Sequence, residues 1–149
     1  ADKWDGRVHA TPHRIVTLAM HEPLGVVGGV CPDDRPLLGL VSLLAPLVAV
    51  GNTAVLVPSR AAPLAATDFY QVLDTSDVPG GVVNIVTGVH DDLVPTLAAH
   101  DDVDGVWYFG SAEGSAAVEK ASTGNMKRTW PVLRCCRKLR QPISPFLRV

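Results

Sequence analysis

The stretch Glu22 to Ser59 leaves the chain few choices of fold. Leu24 to Cys31 is an apolar run carrying glycines, the pattern of a strand buried on both faces. Pro32 to Pro36 is a polar crossing, Leu37 to Val50 is apolar almost all round, and Gly51-Asn52 turns the chain into a second buried strand, Thr53 to Val57. Strand, helix, strand in this order is a βαβ unit, whose crossover leaves the two strands parallel. In an open sheet of that kind ligands bind beyond the carboxyl ends of the strands. Here those ends are Cys31-Pro32-Asp33-Asp34-Arg35-Pro36 and Pro58-Ser59-Arg60.

The rest of the chain extends the same plan. Asp5-Gly6 is a turn, and Arg14 to Met20 alternates apolar and polar residues, so the first 22 residues predict a two-stranded ribbon. Pro63 opens a second helix, with Leu64, Ala65, Phe69, Val72 and Leu73 as its inner face. Val78-Pro79-Gly80-Gly81 turns into a third strand, Val82 to Val86. Asp91 and Asp92 mark the start of a helix that includes Leu93 to Ala99. Val103 to Phe109 is a fourth strand, and Gly110-Ser111-Ala112-Glu113 leads a helix through Ala121. A fifth strand begins at Trp130 to Leu133, but the pattern does not sustain it. The expectation is an α/β domain: an open doubly wound, Rossmann-like parallel sheet with flanking helices, preceded by a short β-ribbon.

Charge divides the chain again. Up to Trp130, fifteen acids face eight basic residues and leave −7; Pro131 to Val149 carries five basic residues and no acid. Such asymmetry marks an appended tail. The organisation read from this is a ribbon and oligomerisation arm over residues 1–22, an incomplete nucleotide-binding domain over 23–130, and a basic tail over 131–149. The uncharged stretch Pro36 to Ser59 resembles a membrane span, but Pro46 and Gly51-Asn52 interrupt it, which argues for a core helix. Three cysteines do not make a disulfide framework, and Cys135-Cys136 has no partner at metal spacing. No signal peptide opens the sequence, so a reducing, cytoplasmic location is expected.

Gly110-Ser111-Ala112-Glu113-Gly114-Ser115 sits where backbone N–H groups can meet a phosphate, although turn chemistry alone also explains its glycines. It does not match GxGxxG. Asp91-Asp92 reads as helix capping and Asp101-Asp102-Asp104 as a solvated turn; neither fits a calcium loop. His9, His13, His21, His90 and His100 are scattered and read as surface or turn residues, with no metal site expected. Trp107 and Tyr108 read as core and edge, and the basic tail lacks the patterned aromatics of a nucleic-acid surface.

The wording of several segments is specific. EPLGVVGGVCP, APLVAVGNTAVLVPS, PLAA, PGGVVNIVTG and YFGSAEGS, in this order, resemble the nucleotide-binding part of the aldehyde dehydrogenase superfamily from about Gly6 to Arg128. The pattern is most similar to the second lobe of the duplicated aldehyde dehydrogenase subfamily. The resemblance implies NAD- or NADP-linked oxidation of aldehydes to carboxylic acids, with a cysteine nucleophile. It places Pro58, Ser59, Gly110 and Ser111 as the surviving candidates for cofactor contact. Other positions depart from it. PWNFP becomes Pro32-Asp33-Asp34-Arg35-Pro36, putting Asp34 where an asparagine amide would donate to an oxyanion. KPSE becomes Val57-Pro58-Ser59-Arg60. ELGGK, whose glutamate is the family's general base, is replaced by TWPVLRCCRKLR.

These departures predict a noncatalytic domain with a scaffold or assembly role, binding no cofactor tightly. Cys135 and Cys136, flanked by arginines that can lower a thiol pKa, lack the family's glycine-rich surroundings and read as an inert or oxidisable pair. Expected partners are a second copy of the chain or a larger protein, with no membrane and no nucleic acid. The alternative is a residual NAD(P)-binding module, or an oxidoreductase lobe acting with a catalytic partner lobe. A third reading is an incomplete product, motivated by the loss of pattern after Trp130.

Overall fold

The computed structural model describes residues 6–133. Cys135, Cys136 and the basic tail from Arg134 onward therefore lie outside the described residues, as do the first five. Arg7–His9 (β1) and Thr17–Ala19 (β2) pair antiparallel, with Val8 opposite Leu18, and form the expected ribbon. Val8, Val16, Leu18 and Met20 on it are all exposed.

A five-stranded parallel sheet follows. Its strands are Val26–Val30 (β3), Thr53–Val57 (β4), Val83–Ile85 (β5), Gly105–Gly110 (β6) and Arg128–Leu133 (β7), in spatial order β5-β4-β3-β6-β7. The chain builds outward from β3 to β5 on one side, then crosses over and builds β6 and β7 on the other. The order therefore reverses beside β3, and its carboxyl end, with that of β6, is the topological switch point. The helices are Pro36–Ala49 (α1), Pro63–Asp68 (α2), Tyr70–Asp74 (α3), His90–Ala99 (α4) and Ala112–Ala121 (α5).

Burial follows from this winding. One core cluster joins Val27, Leu56 and Trp107 of the sheet to Leu40, Leu43, Leu44 and Leu47 of α1 and Ala66 of α2. The other joins Val30, Val57 and Val106 to Val94 and Ala98 of α4 and Val118 of α5. Two apolar faces, each covered by helices, explain why the strands read as unbroken apolar runs. The α1-to-β4 turn is tied to the start of β3 through Asn52, whose Oδ1 accepts the Gly25 N–H at 3.1 Å and whose Nδ2 donates to the Leu47 carbonyl at 3.4 Å. Helix α1 runs fourteen residues through Pro46, and among the described residues no helix is long and apolar enough to cross a membrane.

Three expectations need correcting. The fifth strand is sustained: β7 pairs with β6 over six positions, from Arg128 opposite Gly105 to Leu133 opposite Gly110. Its neighbour supplies what its composition does not, and Pro131 is tolerated because β7 is the edge of the sheet among the described residues. The second helix breaks at Phe69, and its inner stripe is Ala66, Phe69 and Leu73. At 100° per residue, Leu64 lies about 200° from Ala66, and it is 73% exposed; Val72 is turned outward as well. Finally, His90 is neither a surface nor a turn residue; it is buried at the start of α4.

Candidate functional site

The sheet places both predicted contact pairs at its carboxyl edge. Pro58 and Ser59 follow β4, while Gly110 ends β6 and Ser111 caps α5. One strand, β3, separates them, so at the usual inter-strand spacing the two loops lie roughly 10 Å apart. Between them runs the Cys31–Pro36 loop.

Ser59 is almost fully buried, and its hydroxyl is engaged twice: it accepts the Ala61 N–H at 3.1 Å and donates to Asp33 Oδ1 at 3.0 Å. The same Oδ1 accepts the Arg60 N–H at 2.8 Å. Asp33 Oδ2 accepts from Arg60 Nε and Nη2, each at 3.3 Å, completing an ion pair. Burial pushes the Asp33 carboxyl's pKa up, but the Arg60 N–H, the Ser59 hydroxyl and the Arg60 guanidinium together hold it below its ordinary 3.8. Behind this loop the Pro58 carbonyl accepts a 2.7 Å hydrogen bond from His90 Nε2. A carbonyl oxygen can only accept, so Nε2 carries the proton.

The β6–α5 turn is built differently. Ser111 Oγ accepts the Gly114 N–H at 3.1 Å as a helix N-cap, and Ser115 Oγ donates to the Ser111 carbonyl at 3.0 Å. Ser111 itself is exposed, and its hydroxyl proton is not used by the cap. The Tyr108 phenol is lodged between the strand end and the first turn of α5; a Cβ at either Gly110 or Gly114 would collide with it. The small residues of this turn are thus accounted for by packing as well as by any ligand.

Nucleophilic chemistry has little to work with here. Cys31, at the carboxyl end of β3, is 1% exposed, and burial pushes its thiol up to about 12, which keeps it protonated and inert. The part of β7 from Thr129 to Leu133 contains no ionisable side chain. Among the described residues no three His, Cys, Asp or Glu side chains are grouped to hold a metal.

The structure thus brings Pro58 and Ser59 into one bonded cluster with Asp33, Arg60 and His90, and leaves Gly110 and Ser111 in a separate turn. The sequence concealed His90, whose packing partner lies 32 positions away. The Asp33–Arg60 pair did leave a trace: two opposite charges appear at the two strand ends where the similar pattern has neither of them.

Comparison with known proteins places this geometry. The sequence profile of the aldehyde dehydrogenase family matches residues 1–132. Retinaldehyde dehydrogenase 3 of Homo sapiens is 38% identical over 129 residues, which is 86% of this chain and 25% of that protein. The crystal structure of PnpE from Pseudomonas sp. WBC-3 superposes with a TM-score of 0.84 at 31% identity, over 89% of this chain and 27% of that one. Aldehyde dehydrogenase C of Pseudomonas syringae, solved as a mutant with NAD+ and octanal, gives 0.72 at 36% identity, over 75% of this chain and 23% of its own. The chain spans about a quarter of the length of the curated relatives it matches.

Proposed function

The chain belongs to the aldehyde dehydrogenase family, and from that premise we propose that it is a noncatalytic version of the family's nucleotide-binding domain with a scaffold or assembly role. The observation that carries this reading is Asp33. Its carboxylate engages the Ser59 hydroxyl, the Arg60 N–H and the Arg60 guanidinium. These groups lie at the carboxyl end of the sheet, where folds of this kind bind ligands, and the carboxylate places a negative charge there, which disfavours a polyanion. Asp34, exposed in the same loop, is acceptor-only when ionised and would repel a developing oxyanion. Neither the buried Cys31 nor the segment Thr129–Leu133 supplies a nucleophile or a general base.

The assembly role is supported by the ribbon, whose Val8, Val16, Leu18 and Met20 expose apolar surface on a two-stranded unit that is marginal alone. A second copy of the chain or a larger protein would cover it, and sedimentation should show a concentration-dependent species larger than the monomer. A cytoplasmic setting goes with this reading, since Cys31 is a free thiol.

One observation favours a second reading. Ser111 is exposed beside the N-terminus of the ten-residue α5, a place where a phosphate is favoured. A residual NAD(P)-binding lobe that works with a catalytic partner would use it, together with Gly110. Assays of the purified chain with a panel of aldehydes, NAD and NADP separate the enzymatic from the noncatalytic reading. We expect no rise in reduced-nicotinamide absorbance; turnover abolished by replacing a single cysteine would overturn the noncatalytic assignment.

A further inference from the structure

Among the described residues β5 and β7 are the two ends of the parallel sheet. A strand in that position carries unpaired N–H and C=O groups that template pairing with another chain. Which groups those are follows from the phase of the ladder. Both polar groups of one strand residue face the same neighbour, and successive residues face opposite ways. On β7 the Arg128 N–H donates to the Asp104 carbonyl at 3.0 Å. Arg128, Trp130 and Val132 therefore face β6, while Thr129, Pro131 and Leu133 face away from the sheet. Proline has no N–H, so the middle one of these three outward positions offers no donor. At the other end the Ala54 N–H donates to the Val82 carbonyl at 2.8 Å, and the Val86 N–H donates to the Leu56 carbonyl at 2.9 Å. Asn84 shares that phase, which leaves Val83 and Ile85 facing outward. One side chain engages both: the Tyr70 hydroxyl donates to the Val83 carbonyl at 3.0 Å and accepts the Ile85 N–H at 3.1 Å.

We propose that both ends of the sheet are closed to strand addition by a second copy of the chain, β7 by Pro131 and β5 by the Tyr70 phenol. Self-association is thereby confined to the ribbon, a clause that rests on the assembly reading above. The two closures differ in kind. Strand β7 is six residues long, enough to pair with a copy of itself, and the missing donor interrupts its outward row at the centre. Strand β5 has only three residues, and the phenol occupies the acceptor and the donor that flank its middle residue, Asn84. A competing account gives Pro131 and Tyr70 no bearing on association, in which case replacing them leaves the size of the protein in solution unchanged.

Sedimentation equilibrium and amide hydrogen exchange on the full chain separate the two. Pro131→Val restores an outward donor and should lower the self-association Kd at least about tenfold relative to the wild type. Pro131→Val/Thr129→Pro moves the proline to another outward position and should return the Kd to the wild-type value. A Pro131→Val variant with the wild-type Kd, or a double variant that keeps the gain, overturns the closure of β7. Should the double variant not fold, exchange decides: Pro131→Val should show protection of the Thr129 and Leu133 amides that rises with concentration, and exchange unchanged from the wild type overturns it. For β5, Tyr70→Phe removes the hydroxyl alone, and the Ile85 amide should exchange at least about tenfold faster. An unchanged Ile85 rate overturns that half. Failure of the assembly reading is distinct, since it would appear as a wild type that stays monomeric at every concentration, whereas failure here appears as variants no different from the wild type.

Discussion

At Asp33 two opposed effects compete, and the hydrogen-bond donors prevail over burial, leaving the carboxyl below its ordinary value of 3.8. A folded pKa lower than the unfolded one contributes stability that is fully present above the unfolded value and is lost as pH falls through the folded value. Urea midpoints of the wild type should therefore carry this contribution in full and without pH dependence from Asp33 above about pH 5, and decline below about pH 4. Asp33→Asn should show a shallower acid decline, and identical acid slopes would remove the pair from the stability account. His90 offers a second test. Its Nε2–H satisfies the Pro58 carbonyl in a buried setting, so His90→Ala should cost roughly 1–3 kcal/mol in denaturant unfolding. Asn at that position, whose amide can still donate, should recover part of the loss. Equal losses for both variants would show that ring packing, not the hydrogen bond, matters there.

The elements divide into those that carry their own pattern and those defined by neighbours. The βαβ unit was legible because β3, α1 and β4 are apolar on faces that α1–α2 and α4–α5 then cover. Leu47→Ala in α1, at a fully buried position, should accordingly cost about 2–5 kcal/mol. Strand β7 was not legible past its start, because Pro131 speaks against a strand and only pairing with β6 overrules it. At Leu64 the structure departs from the expected inner face of the second helix, since the break at Phe69 and the position of Ala66 set the phase. The first turn of α5 tests packing against propensity. Helix propensity alone makes Gly114→Ala favourable by about 1 kcal/mol. A Cβ there meets the Tyr108 phenol, and overpacking of that kind costs typically 1–3 kcal/mol. Net destabilisation is expected, and a raised Tm would show that the ring moves aside freely.

For the whole molecule, a five-stranded parallel sheet carries at its carboxyl edge polar groups that are bonded to one another. The crevice could be placed from the strand order implied by the sequence, because the switch point is a matter of topology. The bonded state of its residues could not, because the partners of Ser59 and Pro58 are Asp33 and His90, 26 and 32 positions away. The family resemblance groups Pro58, Ser59, Gly110 and Ser111 as one set; the fold places them on either side of β3, in an internally bonded loop and a capped turn. Calorimetric titration of NAD into the wild-type chain tests the account most directly. No saturable heat up to millimolar cofactor is expected, and a stoichiometric isotherm with micromolar Kd would contradict it.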